Sequence, residues 1–429
     1  MRVLESSAPS FTRSFRAFCR QAAPSAAMRD AVHAILENVR LRGHRAVLET
    51  VEQFDGIRLK PGQMVISTTE MEAGYRRLSA GDRRALADSL SNIRSFNRRG
   101  LPADWSGSNV HGARVGERFY PLDRVGVYIP RGLVSTVLMT CGLARIARVP
   151  EMAVFTPCDS EGKVGDGLLA ALHLVGTTEA YRIGGVPAIG AMAYGTRKIR
   201  PVAKVFGPGN VYVVEAKRQV FGTIGVDLLP GPSEVMVIAG PSADPSMIAA
   251  DLMAQAEHGS GQERVFLASP SADLIKAVHQ AIKQGVATLP RQEIIRTVLR
   301  KGFMSIRTRD LAEAAAIACE VAPEHLELAL PPTEARRLLK SITTAGAVMI
   351  GHWSATALGD FVAGPSHELP TGGAGRYASG LQVRDFMRRS SVIEYAKGSL
   401  KRAESTAVAF SRLEDLDAHG RSVKARLES

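Results

Sequence analysis

From residue 124 to residue 350 the chain repeats one unit: a short apolar run, a turn, then a stretch with helical spacing. RVGVYIP, EMAVFTP, EAYRIGG, KVFGPGN and the end of GVDLLPGPSEVMVIAG read as strands. Between them, 135–147, 164–176, 187–195 and VYVVEAKRQV read as helices. A second set follows, with helices 245–257, 271–284 and 309–321 set among the strands RVFLAS, GFMSIRT and GAVMIG. Alternation at this pitch predicts an α/β fold with mainly parallel sheets. Upstream, 26–53 and 80–97 carry helical periodicity, and RRGLPADWSGSN reads as a loop. The last fifty residues read as polar helix, ASGLQVRDFMRRSS included. They hold too little apolar surface for a core of their own and are expected to dock on another surface.

Composition narrows the function classes. The 429 residues are 45% hydrophobic and 22% charged, which supplies ample core and excludes disorder. Fifty-four Lys+Arg against 42 Asp+Glu leave a formal charge of +12, which raises nucleic acid, a membrane surface or an anionic ligand as partners. The excess is scattered in singles and pairs such as Arg76-Arg77 and Arg388-Arg389, with no run of five basic residues and no basic stretch interleaved with aromatics. No nucleic acid or membrane partner is therefore expected. The four cysteines lie far apart without a CxxC, which predicts reduced thiols in a cytoplasmic protein. No apolar stretch reaches 18 residues. The first twenty residues are Arg- and Ser-rich like a transit peptide, but they include Glu5 and lack the apolar core of a secretory signal.

Several motifs can carry chemistry. Gly207-Pro208-Gly209-Asn210 sits between a strand and a helix, either as a plain tight turn or as an anion cradle of backbone N–H groups. Gln255 and His258 share a helical face at i, i+3, as metal donors or as a polar helix end. Glu324-His325, in PEHL after a helix, is a solvated loop pair or an acid–base couple. GDFVAGPSHELPTGG (359–373) places Asp360 and His367 in a Gly/Pro-rich loop, a surface crossover or a site. His419 lies in the tail near Glu414.

The same segments, in this order, resemble the histidinol dehydrogenase family. The resemblance runs from about residue 30 to the C-terminus. RLRGHRAVLETVEQFDG, PLDRVGVYIP, FGPGNVYVVEAKRQVFG, GVDLLPGPSEVMVIA, DLMAQAEH, VAPEHLEL, LGDFVAGPSHELPTGG, SGLQVRDFMRRSSVIEY and LEDLDAHGRSVKAR carry it. It implies two Rossmann-like parallel-sheet domains and a helical tail that packs on a partner subunit. Residues 1–120 plus 232–378 are expected to form the first domain, 121–231 the second, on the NAD side, and 379–429 the dimerisation tail. The implied activity is zinc-dependent, NAD-linked, four-electron oxidation of L-histidinol through its aldehyde to L-histidine. Gln255, His258, Asp360 and His419 match the family's zinc ligands, one ion per subunit. Glu324 and His325 match its acid–base pair. Ser233, His325, Asp360, His367 and Glu414 match substrate contacts, and Tyr128 and Asn210 match NAD contacts. The tail's Glu414 and His419 would reach the partner's site in a homodimer.

The chain also departs from the family pattern. The loop after Pro130 is shorter and carries Arg131. Pro187 replaces a Gln near NAD, Ala355-Thr356 replaces a Pro-Glu pair, and Ser366 replaces an Asn. Loss of a carboxylate at Thr356 and gain of Arg131 motivate a rival substrate, another polar or anionic alcohol such as a sulfonated or carboxylated diol.

Overall fold

The computed structural model describes residues 3–20, 24–60 and 62–428. It contains two parallel sheets and one small antiparallel sheet. The five-stranded sheet has the order Glu179–Arg182, Glu151–Thr156, Arg124–Tyr128, Lys204–Phe206, Gly225–Val226. All of its pairings are parallel. The six-stranded sheet has the order Val3–Glu5, Phe303–Arg307, Arg264–Ser269, Glu234–Ala239, His325–Ala329, Ala347–Ile350, again all parallel. Strands such as Arg124–Tyr128 and Glu234–Ala239 are buried at every position, because helices cover both sheet faces. In each sheet the strand order reverses beside the founding strand, after Arg124–Tyr128 and after Glu234–Ala239.

The cores correct the expected grouping of residues 1–120. Among its described residues, only Val3–Glu5 and the Phe11–Cys19 helix join the six-stranded sheet, where Phe15 is buried. Helices within 26–98 belong to the other core: Val32, Leu36, Val39, Val47, Val51, Leu90 and Ile93 pack with the Arg124–Tyr128 and Glu151–Thr156 strands. Their apolar faces fit the helices of the five-stranded sheet, which proximity in the chain does not reveal. The expected single helix 26–53 is two, Ala26–Arg42 and His44–Asp55, broken at Gly43, whose φ of +55° a side-chain-bearing residue rarely adopts.

The C-terminal region differs from its helical reading at ASGLQVRDFMRRSS. Met387–Glu394 is a strand, paired antiparallel over eight residues with Arg114–Pro121, which in turn pairs with Trp105–Ser108 inside the expected loop. Most of Met387–Glu394 is exposed, so burial imposes no clean alternation on it for the sequence to display. Beyond it, Lys397–Leu413 and Asp417–Glu428 are helices packed on each other. Arg402 donates to the His111 carbonyl (2.9 Å) and anchors this arm to the hairpin.

Much of the scattered positive charge is engaged in surface ion pairs, for example Arg40–Glu37, Arg42–Glu49 and Arg77–Asp166. All four cysteines are free thiols. Among the described residues, no helix is long and apolar enough to cross a membrane.

Candidate active site

A cavity of about 340 Å³ lies where the carboxyl ends of the five-stranded sheet meet the amino ends of the six-stranded sheet. Leu133, Ser135, Thr136, Pro208 and Gly209 form one wall. Ser233, His258, Glu263, Glu324 and His325 form the other. Asp360, His367 and Glu368, from the Thr356–Phe361 helix and the loop after it, close the space.

The first wall is a turn held from behind. Gly207 has φ +106°, and a Cβ there would sit 2.0 Å from the Tyr128 carbonyl oxygen, so only glycine fits. Its N–H donates to Asp227 Oδ2 (2.7 Å), and its carbonyl accepts from Lys217 Nζ (2.8 Å). Lys217 and Asp227 form a fully buried ion pair. Asn210 Oδ1 accepts from the Tyr212 and Val213 N–H groups (3.0 and 3.1 Å), capping the Val211–Val220 helix. The Tyr128 hydroxyl is buried and accepts from the Gly185 N–H (3.2 Å). Both residues flank the turn, and neither lines the cavity.

The second wall carries the acid–base pair. Glu324 and His325 are not in a solvated loop: His325 opens a central strand, in register with Val235 and Ala347 on either side. Strand neighbours on both sides bury and fix it. Glu324 Oε2 accepts from the Glu234 N–H (2.8 Å) and lies 3.8 Å from His325 Nδ1. His325 Nε2 lies 3.3 Å from Asp360 Oδ1. The imidazole is thus flanked by two carboxyl groups. Burial opposes charge on His325, but Glu324 and then Asp360 outweigh it, and its pKa is raised. Burial likewise raises Glu324, only partly offset by His325 and the Glu234 amide. For Asp360 burial is overcome by the hydrogen bond and charge of His325, and the carboxyl is held low.

His367 is fixed through both nitrogens. Nδ1 lies 3.1 Å from the Asp360 carbonyl oxygen, and Nε2 lies 3.0 Å from Thr136 Oγ1. A carbonyl only accepts, so Nδ1 donates, and in the neutral ring Nε2 then accepts from the Thr136 hydroxyl. Burial, which lowers the His367 pKa, favours the same form.

The structure gathers His258, Asp360, His325, Glu324, Ser233 and His367 around one cavity. Gln255 does not line it. It lies one helical turn before His258, buried, with Nε2 lacking a partner. Glu414 and His419 are exposed on the arm and do not line the cavity either. Among the described residues, no three His, Cys, Asp or Glu side chains form a metal cage. Gln255, His258 and Asp360 offer an amide oxygen, an imidazole and a carboxylate, donor types that suit zinc and leave its coordination incomplete.

The departures fall as follows. Pro187 occupies the first turn of the Gly185–Tyr194 helix, where its missing N–H breaks no helical hydrogen bond. Arg131 donates to the Cys158 carbonyl and lies outside the cavity lining. Thr356 is buried at the start of its helix, also outside that lining. Ser366 Oγ accepts from the Glu368 N–H (3.2 Å). Sequence reasoning missed Thr136, Glu263 and Glu368. Thr136 meets His367 across 231 residues, a contact no local pattern signals. Glu368 had a signal, its place beside His367 in an already suspect loop.

A family model described as histidinol dehydrogenase matches residues 19–427. A histidinol dehydrogenase of Cereibacter sphaeroides is 41% identical over 429 residues, covering 99% of this chain and 98% of its own. One from Geobacillus kaustophilus is 40% identical over 403 residues, covering 93% and 94%. The crystal structure of histidinol dehydrogenase from Elizabethkingia anophelis superposes with a TM-score of 0.94 at 29% identity, covering 100% of this chain and 98% of that one.

Proposed function

The chain belongs to the histidinol dehydrogenase family, and from that premise we propose that it oxidises L-histidinol to L-histidine through the aldehyde, passing two hydrides to NAD. The observation that carries this reading is His325 clasped between Glu324 and Asp360 in a cavity at the meeting of the two sheets.

His325 accepts the alcohol proton as hydride leaves the carbinol carbon. Glu324, raised by burial, then takes a proton from the water that adds to the aldehyde, and the hydrate gives up the second hydride. The balance is one water consumed and two NADH formed per alcohol. Ser233, His367 and Asp360 contact the substrate, with Glu414 from the arm. The 207–210 turn and the helix behind it, at the switch point of the five-stranded sheet, would hold the phosphates of NAD. Tyr128 and Asn210 shape that edge.

Gln255, His258, Asp360 and His419 would hold one zinc per subunit, which when bound orients the substrate and polarises its oxygen. The fit rests on Gln255: one end of its buried amide has no partner, and with the amide turned over that end is the oxygen, which a cation can engage. His419 and Glu414 come from a second copy of the chain. Ile393, Phe410, Leu413 and Leu416 on the arm are exposed, as are Trp353, Leu358 and Phe361 beside the cavity, which supports a homodimer closed by exchanged arms. Four free thiols suit the cytoplasm, and no nucleic acid or membrane partner enters the reading.

The rival anionic substrate loses its main support, because Arg131 is committed to the Cys158 carbonyl while the cavity is lined by Glu263, Glu324, Asp360 and Glu368. The test is stoichiometry with zinc-loaded protein. Two NADH per L-histidinol are expected, with none from a sulfonated or carboxylated diol. NAD reduction by the diol alone would overturn the reading.

A further inference from the structure

Arginines that are scattered along the sequence converge in space at a second place. A pocket of about 950 Å³ is lined by Arg40, Arg42, Arg45, Arg58, Arg197 and Arg200, against two acids, Glu49 and Glu52. It shares no lining residue with the active-site cavity. One side of it, the stretch 195–201, leads into the amino end of the Lys204–Phe206 strand. The pocket therefore lies at the edge of the five-stranded sheet opposite to the carboxyl ends that meet the cavity.

The acids nearby do not cover this charge. Arg42 and Arg45 share Glu49 (2.6 and 2.9 Å), Arg58 takes Glu52 (3.0 Å) and Arg40 takes Glu37 (2.7 Å). Arg200 reaches Glu151, which also serves Arg124. Arg197 has no acidic partner among the described residues. Exposed pairs of this kind are weak, so their guanidiniums can turn to a stronger anion. His44 also lines the pocket, with both ring nitrogens shielded from water and without a partner. Burial and then the Lys198 charge keep its pKa low, so the neutral ring has one N–H to donate. Leu48, Leu59, Tyr194 and Ile199 of the lining are buried or half-buried in the adjoining core and give the pocket an apolar floor.

We propose that this pocket is a second ligand site that binds an organic phosphate, a phosphate or diphosphate ester whose charge meets the arginines and whose body lies on the apolar floor. Guanidinium groups present paired N–H donors that match phosphate oxygens, and here they outnumber the carboxylates that could occupy them. The space is many times that of a bare oxyanion and falls in the range of pockets that enclose a whole small molecule. The basic groups line a recess rather than a stripe, which focuses their field on a small anion and not along a nucleic-acid strand. The site stands apart from the dehydrogenase chemistry and does not depend on it.

The test titrates ADP by calorimetry, in phosphate-free buffer, into the wild-type holoenzyme and into the double variant Arg45→Ser/Arg197→Ser, each without NAD and with saturating NAD. Wild type is expected to bind one ADP per chain that NAD does not displace. Pyrophosphate should compete for it, and adenosine should not. The double variant should weaken that binding by roughly tenfold or more, the loss expected for charge-assisted contacts. Its circular dichroism and its KM for NAD should stay as in wild type, because neither arginine lines the cavity. The proposal is overturned if ADP does not bind, if NAD abolishes its binding, or if the double variant keeps it unchanged. Pyrophosphate binding as tightly as ADP would remove the apolar floor from the site and overturn the organic ligand. Single-stranded DNA that binds wild type, is weakened by the double variant and is not displaced by ADP would show a nucleic-acid face instead.

Discussion

In the cavity wall, the groups that would move protons are held by named neighbours: Glu324 by the Glu234 amide, His325 by Asp360, His367 by Thr136 and the Asp360 carbonyl. In the C-terminal arm, Glu414 and His419 stand exposed, and Phe410 and Leu413 of the same arm also face solvent. One region is finished within a single chain; the other displays surface that a second copy can cover. On the reading proposed above, the difference teaches that preorganised acid–base chemistry is a tertiary property, whereas metal coordination would be completed by a second copy of the chain.

Substitutions in the two regions should separate these levels. The largest effect is expected from His258→Asn: zinc content falls from one per subunit to near zero and activity falls with it, while circular dichroism stays native. Unchanged zinc by elemental analysis would remove His258 from the ligand set. His325→Asn should keep the zinc and lose about 10²–10⁴-fold in kcat, the range for a positioned base. If zinc is lost as well, the wall and the metal site are not separable. Glu324→Gln should slow oxidation of supplied aldehyde about 10²-fold and alcohol oxidation less. Equal losses in both steps would count against its role with water.

The smallest effect concerns the support beneath the wall. Asp251, on the helix of Gln255, shares a hydrogen bond with Glu327, two residues beyond His325, and burial followed by the Asp251 charge lifts Glu327 to about 9. The folded chain keeps a proton that the unfolded chain releases above the ordinary carboxyl range. Stability from this pair therefore declines as pH rises towards 9. Glu327→Gln supplies a permanent donor, so its Tm should fall less between pH 7 and 9 than the wild type's, by about 2–4 °C. Parallel declines would show that the pair does not hold the shared proton.

The strand–helix alternation was legible because strands buried on both faces are apolar throughout, as in RVGVY and EVMVIA. The hairpin Trp105–Pro121 and the Met387–Glu394 strand were not, because mostly exposed strands escape that constraint. At the site, Glu324, His325, Asp360 and His367 stood out as chemical residue types in suspect motifs. Their partners did not. Thr136 bears no motif, and the strand that buries His325 is set by neighbours 90 and 22 residues away in register. The grouping of residues 26–98 depended on which apolar faces match, information that one helix does not carry.

The central claim, that one chain supplies the wall and another the arm, is tested by coexpressing His258→Asn and His419→Asn chains. Each variant alone should be inactive. In mixed dimers one site inherits both substitutions and the other neither, so random pairing should restore roughly one quarter of wild-type activity and zinc. A mixture that stays inactive, with its dimers shown to exchange, would mean that His419 serves its own chain and would contradict the account.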